Sequence, residues 1–234
     1  MGYVRDAPVV VLTGMAFEAD IAASSHVIYG LRGDALEQAL HQRLQQPCAG
    51  LISFGMAGGL SPDLAPGAVV VAQAVADAHA LLATDPAWSE ALLRALPQAV
   101  GGLLAGVDAP VATVADKQAL HHADAALAAD MESHIGARAA RQAGVPYAVC
   151  RVVLDPALQT VPPAALAAFG RDGGINFPAL LSNLLRHPGQ LPDLLRLGRD
   201  SSSAQQAMRE VRAALGPRFG LPYLAGGLAS STSS

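Results

Sequence analysis

The chain has 234 residues, of which 52% are hydrophobic and only 15% are charged, a composition typical of helices packed on a buried sheet with a full core. The formal net charge of −4 argues against a nucleic-acid partner, since binding to phosphate needs a basic face, and Lys117 is the sole lysine, so there is no lysine-rich patch for anionic lipid. No uninterrupted apolar segment approaches the roughly 18 residues needed for a transmembrane helix.

Short apolar, β-branched runs alternate with helical patterns along the chain, which predicts an α/β fold with crossover helices. Strands are predicted over residues 8–13, 49–54, 67–75, 127–131 and 146–154, and two short ones within 103–114, broken near Pro110. Helices are predicted near Phe17, from Asp34 as a cap, over 86–96, 132–143 and 178–187, from Pro192, and from Ser203 as a cap to about 215. We expect one domain over 1–225 and a polar tail over 226–234.

Four features follow predicted strands: Glu18, the glycine segment 55–59, the run Asp130-Met131-Glu132, and Asp155. Ligands of open α/β sheets bind beyond the carboxyl ends of the strands, so these features are candidates for one shared site. Each also has an ordinary explanation, because acidic residues favour the first turn of a helix and glycine and Asp-Pro sequences favour turns. The residue pattern alone therefore leaves the function open.

Three longer blocks resemble a known family. SFGMAGGLSPDLAPGAVVVA (53–72) resembles the glycine segment and following strand of the purine nucleoside phosphorylase/nucleosidase family. ADMESHIGARAARQAGVPYAVCRVVLD (129–155) is similar to its ribose-binding and purine-binding block, and TGMAFEA (13–19) to the first loop of its hydrolytic members, the methylthioadenosine/S-adenosylhomocysteine nucleosidases. The resemblance implies an α/β fold of three layers, α/β/α, around a mixed, twisted central sheet.

The resemblance also implies roles for individual residues in cleaving the N-glycosidic bond of a purine nucleoside. Asp155 matches the aspartate that protonates the purine, and Glu18 matches the residue that activates the attacking water. Glu132 matches the acceptor of hydrogen bonds from the ribose hydroxyls, and Met131 would pack against the ribose. The other residues expected to bind substrate are Gly14, Gly55, Met56, Ala57, Gly58 and Thr113.

A narrower resemblance comes from residues 110–120, 154–166 and 184–200, which are similar to the hopanoid-associated branch of the family, usually called a phosphorylase, which removes adenine from adenosylhopane. Phosphorolytic members carry an arginine at the start of the glycine segment and another in the first loop, where this chain has Ser53 and Glu18. They carry a serine inside the glycine segment, where this chain has Met56. An acidic group beside phosphate costs affinity, so these residues favour hydrolysis while the name of the branch implies phosphorolysis. Arg32 and Arg151 remain candidates for a phosphate site of different construction.

Other functions stay open at this point. A methylthioadenosine/S-adenosylhomocysteine nucleosidase is one alternative, and a non-catalytic nucleoside-binding module is another, although such a module would not need both Asp155 and Glu18 to be acidic. No cofactor or metal is expected, and phosphate is a co-substrate only if the reaction is phosphorolytic. His121, His122 and Asp124 are a weak metal cluster, since adjacent histidines point apart on a helix.

The sequence also gives expectations about location and assembly. Cys48 and Cys150 lie in apolar stretches and are predicted to be reduced thiols of a cytoplasmic protein. The leucine-rich region 180–197 is expected either to form an apolar rim for a lipid-linked nucleoside, with peripheral membrane contact, or to cover the sheet or an oligomer interface. The family resemblance implies a homo-oligomer.

Overall fold

A mixed β-sheet forms the centre of the computed structural model, which describes residues 7–168, 174 and 176–222. The eight strands of this sheet are β1 (Val9–Leu12), β2 (Val27–Ile28), β3 (Gly50–Gly59), β4 (Val69–Ala76), β5 (Leu81–Ala83), β6 (Val100–Gly106), β7 (Ala128–Asp130) and β8 (Tyr147–Val153). The predicted tail 226–234 lies outside the described residues, and the prediction of a single domain over 1–225 stays a prediction.

Five of the strands pair in a closed circuit. Strand β3 pairs in parallel with β8, which pairs antiparallel with β4. Strand β4 pairs in parallel with β6, β6 pairs in parallel with β7, and β7 returns antiparallel to β3. Strands β1 and β2 extend the sheet beyond β3, and β5 extends it beyond β4. The circuit brings the carboxyl ends of β3, β6, β7 and β8 close together.

Helices cover both faces of the sheet. They are α1 (Ala16–Ala22), α2 (Gly33–Leu44), α3 (Pro86–Ala95), α4 (Val114–Asp124), α5 (Ser133–Ala143), α6 (Pro163–Ala168), α7 (Phe177–Arg186) and α8 (Leu191–Leu215), with a 3₁₀ turn at Pro188–Gln190. Alternate residues of β1 enter two different cores, because successive side chains of a strand point to opposite faces. Val9 and Val11 pack with α1, α3 and α8, whereas Val10 and Leu12 pack with α2 and α5. The predicted three-layer arrangement around a mixed sheet is confirmed.

The glycine segment differs from its prediction as a loop or tight turn. Residues 55–59 continue strand β3: Gly55, Met56 and Ala57 pair with residues 151–153 of β8, and Gly58 and Gly59 pair with β7. The two neighbouring strands satisfy the backbone groups of this segment, so it remains extended despite its low strand propensity.

Residues 103–114 also differ from their prediction as two strands. Only the first part is a strand, β6, and the chain then enters helix α4. The Thr113 hydroxyl accepts a hydrogen bond of 3.1 Å from the backbone N–H of Asp116 and caps that helix. This capping interaction overrides the apolar, β-branched character of the run.

Two helix boundaries were predicted wrongly. Arg32, not Asp34, is the N-cap of α2, and Asp34 lies within its first turn. Ser203 does not begin a new helix, because α8 runs without a break from Leu191 to Leu215. The hydroxyl of Ser202 donates to the carbonyl of Gly198 one turn earlier, so a serine within the helix satisfies its hydrogen bond locally.

Cys48 and Cys150 are buried free thiols, and burial raises the pKa of Cys150 to about 12. Within residues 7–222, as far as they are described, no helix is long and apolar enough to cross a membrane.

Candidate active site

The predicted site residues converge at one cavity beyond the carboxyl ends of β1, β3, β7 and β8. Eight of the ten residues named from the sequence line it: Gly14, Glu18, Met56, Ala57, Gly58, Met131, Glu132 and Asp155. Gly55 lies directly behind this wall, against the side chains of Glu18 and Arg151. Thr113 does not line the cavity, because it is exposed and its side chain caps helix α4.

Glu18 lies in the first turn of α1 and is 2% exposed. Its Oε2 accepts hydrogen bonds from the backbone N–H groups of Gly14 at 2.8 Å and Met15 at 2.9 Å, and its Oε1 accepts one from Met56 at 2.7 Å. Burial raises the pKa of Glu18, and the nearby Arg151 and these N–H groups offset the increase only in part. A carboxylate has about four lone-pair sites, so one remains for a ligand of the cavity.

Arg151, on β8, forms the buried centre of the site. Its Nε lies 2.5 Å from Asp130 Oδ2, and its Nη2 donates to Ser53 Oγ at 2.6 Å and to Glu132 Oε2 at 3.3 Å. Its Nη1 donates to the carbonyl of Met56 at 3.3 Å. The guanidinium is therefore surrounded by acceptors, including two carboxylates in contact, with Glu18 a third close enough to act on its charge.

Two glycines make room for these charged groups. A Cβ at position 55 would lie 2.6 Å from Arg151 Nη1 and 2.9 Å from Glu18 Oε2, and one at position 14 would lie 2.9 Å from Glu132 Oε1. Real Cβ atoms do not approach that closely, so glycine is required for the charged side chains to occupy these places.

Glu132 precedes α5 and is 6% exposed. Burial raises its pKa to about 7, and the charges of Asp130 and Glu18 add to the increase, while Arg151 and Arg32 oppose it. Protonation of Glu132 is thus favoured in the folded protein at pH values where an exposed glutamate is ionised.

We expect Glu132→Gln to stabilise the free protein more at pH 8 than at pH 5. The pKa of Glu132 is about 7 in the folded state, against 4.5 for an unperturbed glutamate. The folded state therefore binds the proton more tightly, and the free energy of unfolding falls as the pH rises from about 4.5 through 7. The variant removes this loss, which is on the order of 1–3 kcal/mol at pH 8.

Urea unfolding at both pH values measures this effect, with Glu37→Gln on the exposed face of α2 as the matched control. An equal change at pH 5 and pH 8, or a loss of stability at pH 8, contradicts the prediction.

Asp155 follows β8 at the opposite end of the cavity. Its Oδ2 lies 2.5 Å from Nζ of Lys117, a fully buried side chain of α4. Burial raises the pKa of Asp155, and the Lys117 ammonium offsets that increase only in part. Gly58 lies beside the carboxyl group, where a Cβ would be in ordinary contact at 3.6 Å from both oxygens.

Several residues of the site were not identified from the sequence. Asp130 was noted only as part of a strand end, Arg151 only as a phosphate candidate, and Ser53 only for its departure from the family pattern. Lys117 was noted only as the sole lysine. The sequence Thr113-Val-Ala-Asp116 is a helix-start signal that predicts α4, and Lys117, the sole lysine of the chain, follows it directly.

The geometry defines an α/β protein with a carboxylate-rich cavity at its strand ends. The sequence profile described as "Phosphorylase superfamily" matches residues 2–186, and the chain belongs to that superfamily. No curated protein matches the sequence at a significant level.

Solved structures share the fold at low sequence identity. The chain is similar to a 5′-methylthioadenosine/S-adenosylhomocysteine nucleosidase of Campylobacter jejuni, with 14% identity and a TM-score of 0.62, over 89% of this chain and 98% of that one. A putative methylthioadenosine nucleosidase of Weissella paramesenteroides is 20% identical, with a TM-score of 0.59, over 92% of this chain and 100% of that one. A futalosine hydrolase mutant of Helicobacter pylori is 16% identical, with a TM-score of 0.56, over 64% of this chain and 88% of that one.

Proposed function

We propose that this protein hydrolyses the N-glycosidic bond of an adenine nucleoside that carries an apolar 5′ substituent, adenosylhopane being the substrate that the sequence resemblance implies. The observation that carries the proposal is the placing of two buried carboxyl groups of raised pKa, Glu18 and Asp155, in the wall of one cavity, with Glu132 between them in the chain.

The reaction needs an acid for the leaving base and a base for the attacking water. As the C1′–N bond breaks, its electron pair passes to the purine, and Asp155 donates a proton to a ring nitrogen. Water attacks C1′ and gives a proton to Glu18 through its remaining lone-pair site. Glu132 accepts hydrogen bonds from the ribose hydroxyls, and its charge stabilises the positive charge that develops on the sugar. Exchange with solvent restores both carboxyl groups.

Hydrolysis is favoured over phosphorolysis by the charges around Arg151. This guanidinium already contacts Asp130 and Glu132, and Glu18 is close by, so a phosphate dianion here would meet an excess of negative charge. Arg32 and Lys117 are the cations in the wall of the cavity; the charge of Arg32 acts on Glu132, and Lys117 is paired with Asp155. Water carries no charge and avoids this repulsion.

The apolar 5′ substituent is supported by the residues at the C-terminal side of the cavity. Val161, Leu166 and Leu197 line it. Leu197 lies in the first part of α8, and the exposed leucines of this region are Leu181, Leu185, Leu191 and Leu195. An apolar chain leaving the ribose would cover this surface and gain the free energy of apolar burial.

The test is to incubate the purified protein with adenosine, methylthioadenosine and an adenine nucleoside bearing a long 5′ alkyl group, with and without phosphate, and to follow free adenine and the sugar product by chromatography. We expect adenine release at the same rate in both buffers, a free sugar as co-product, and the highest kcat/KM for the alkyl nucleoside.

Other outcomes assign other functions. A requirement for phosphate, with a sugar phosphate as product, makes the protein a phosphorylase. Faster cleavage of methylthioadenosine than of the alkyl nucleoside favours a methylthioadenosine/S-adenosylhomocysteine nucleosidase, as the solved structures from Campylobacter jejuni and Helicobacter pylori are named. Binding of nucleosides without release of adenine makes the protein a binding module and contradicts the proposal.

A further inference from the structure

Lys117 is a buried charged residue to which the mechanism above gives no role. Its Nζ contacts three acceptors: Asp155 Oδ2 at 2.5 Å, the carbonyl of Pro156 at 2.9 Å and the carbonyl of Gln159 at 2.8 Å. An ammonium group has three N–H donors, so each has a partner and the nitrogen is fixed in place. Lys117 is buried, all three of its N–H donors have acceptors, and one acceptor is the candidate acid, so its position indicates a role at Asp155.

We propose that Lys117 is a positioning residue for proton donation to the leaving purine: it holds Asp155 by Oδ2 and ties the loop after β8 to helix α4. This inference rests on the proposed function. Asp155 itself lines the cavity, and its side chain is 11% exposed, so the carboxyl group remains accessible to a ligand there. A second bond between the same two segments, from Val161 N–H to the carbonyl of Ala112 at 2.9 Å, supports the arrangement.

The ammonium also affects the strength of the acid. Burial raises the pKa of Asp155, the nearby Asp200 of α8 raises it further, and Lys117 of α4 lowers it. An acid donates best when its pKa lies near the working pH, and a carboxyl group in a dry site without a cation would hold its proton too strongly. Removing Lys117 therefore both frees the carboxyl group and makes it a weaker acid.

The experiment compares two leaving groups with one sugar. Purines leave a ribose with the help of a proton, whereas 4-nitrophenolate leaves without one. Both substrates carry the 5′ substituent that the wild type prefers. We expect Lys117→Met to lower kcat for the purine nucleoside by about 10–100-fold, less than the roughly 10²–10⁴-fold effect of losing the acid itself, and kcat for the 4-nitrophenyl riboside by less than about 3-fold. Gln118→Met, at the exposed neighbouring position, is the matched control.

The pH profile gives a second readout. Cleavage of the purine substrate requires protonated Asp155, so kcat/KM falls at high pH. Without the ammonium the pKa of Asp155 rises, and this alkaline limb is expected to move to higher pH in Lys117→Met and to stay in place in Lys117→Arg. If Lys117→Met does not fold, Lys117→Gln, which keeps hydrogen-bond donors without the charge, is expected to show the same shift and the same selective loss.

Each contrary result is distinct. Equal losses on the two substrates, or an unmoved alkaline limb in the uncharged variants, overturn the role of Lys117 while the wild type remains an active hydrolase. A wild-type protein that releases no adenine overturns the proposed function and this inference together.

Discussion

Glu18→Gln is expected to lower kcat for nucleoside cleavage by about 10²–10⁴-fold, the usual size of a general-base effect, and to change nucleoside binding much less. The amide cannot accept the proton of the attacking water. Its nitrogen must also replace one carboxylate oxygen, so it faces a backbone N–H group, either Met56 on one side or Gly14 and Met15 on the other. The variant therefore loses the base and one hydrogen bond at the same carboxylate.

Stopped assays of adenine release measure kcat, and binding of a nucleoside product or inhibitor by calorimetry measures affinity separately. Asp20→Asn, an exposed acid two residues along the same helix α1, is the control and is expected to keep full activity. Retention of more than about a tenth of wild-type kcat by Glu18→Gln would show that Glu18 is not the base.

The part of the site that could be predicted from the sequence consists of residues that follow the ends of strands. Glu18 and Asp155 follow β1 and β8, two apolar, β-branched strands that run parallel to β3, so they lie at one edge of the sheet. Glu132 follows β7, a short strand that is antiparallel to β3. The pattern along the chain made these three carboxyl groups candidates for one site, the family resemblance implied their roles, and all three line the cavity.

The partners of those carboxyl groups could not be predicted in the same way. Arg151 lies in the middle of β8 in a run of apolar residues, where an arginine is usually excluded. Its charge is tolerated only because Asp130, Glu132 and Ser53, distant in sequence, surround it. Such a network depends on the closed circuit of strands, and spacing along the chain does not report it.

The glycine segment was recognised as a close-approach site but given the wrong backbone. Local propensity favours a turn for several glycines in succession, whereas pairing with β8 and β7 keeps these residues extended. Gly55 makes room for the side chains of Arg151 and Glu18, whereas a Cβ at Gly58 would be in ordinary contact with Asp155.

The same network of buried charges is expected to lower the free energy of unfolding of the ligand-free protein. Three buried carboxyl groups act on one guanidinium, and burial, together with the charges of Asp130 and Glu18, raises the pKa of Glu132 to about 7. Functional sites commonly retain such unfavourable burial because catalysis needs it. A ligand that brings positive charge to the ribose position would relieve it, which is the charge that the transition state of glycosidic cleavage carries.

Asp155→Asn is expected to lower kcat on purine nucleosides by about 10²–10⁴-fold, with little change for the 4-nitrophenyl riboside. The asparagine oxygen can still accept a hydrogen bond from Lys117, so the loop after β8 keeps its anchor, but the amide has no proton to transfer. Asp63→Asn, an exposed acid after β3, is the control for the loss of a negative charge. Equal losses on both substrates would indicate a structural role for Asp155.

The double variant Lys117→Met/Asp155→Asn tests whether Lys117 acts through Asp155 or whether the two residues contribute independently. If Lys117 acts through Asp155, then Lys117→Met has little further effect on kcat once Asp155 is asparagine, and the double variant is about as slow as Asp155→Asn alone. Two independent contributions would multiply instead. The burial of both side chains and the single 2.5 Å contact between them favour the first result, because neither group has another charged partner within contact distance among the described residues.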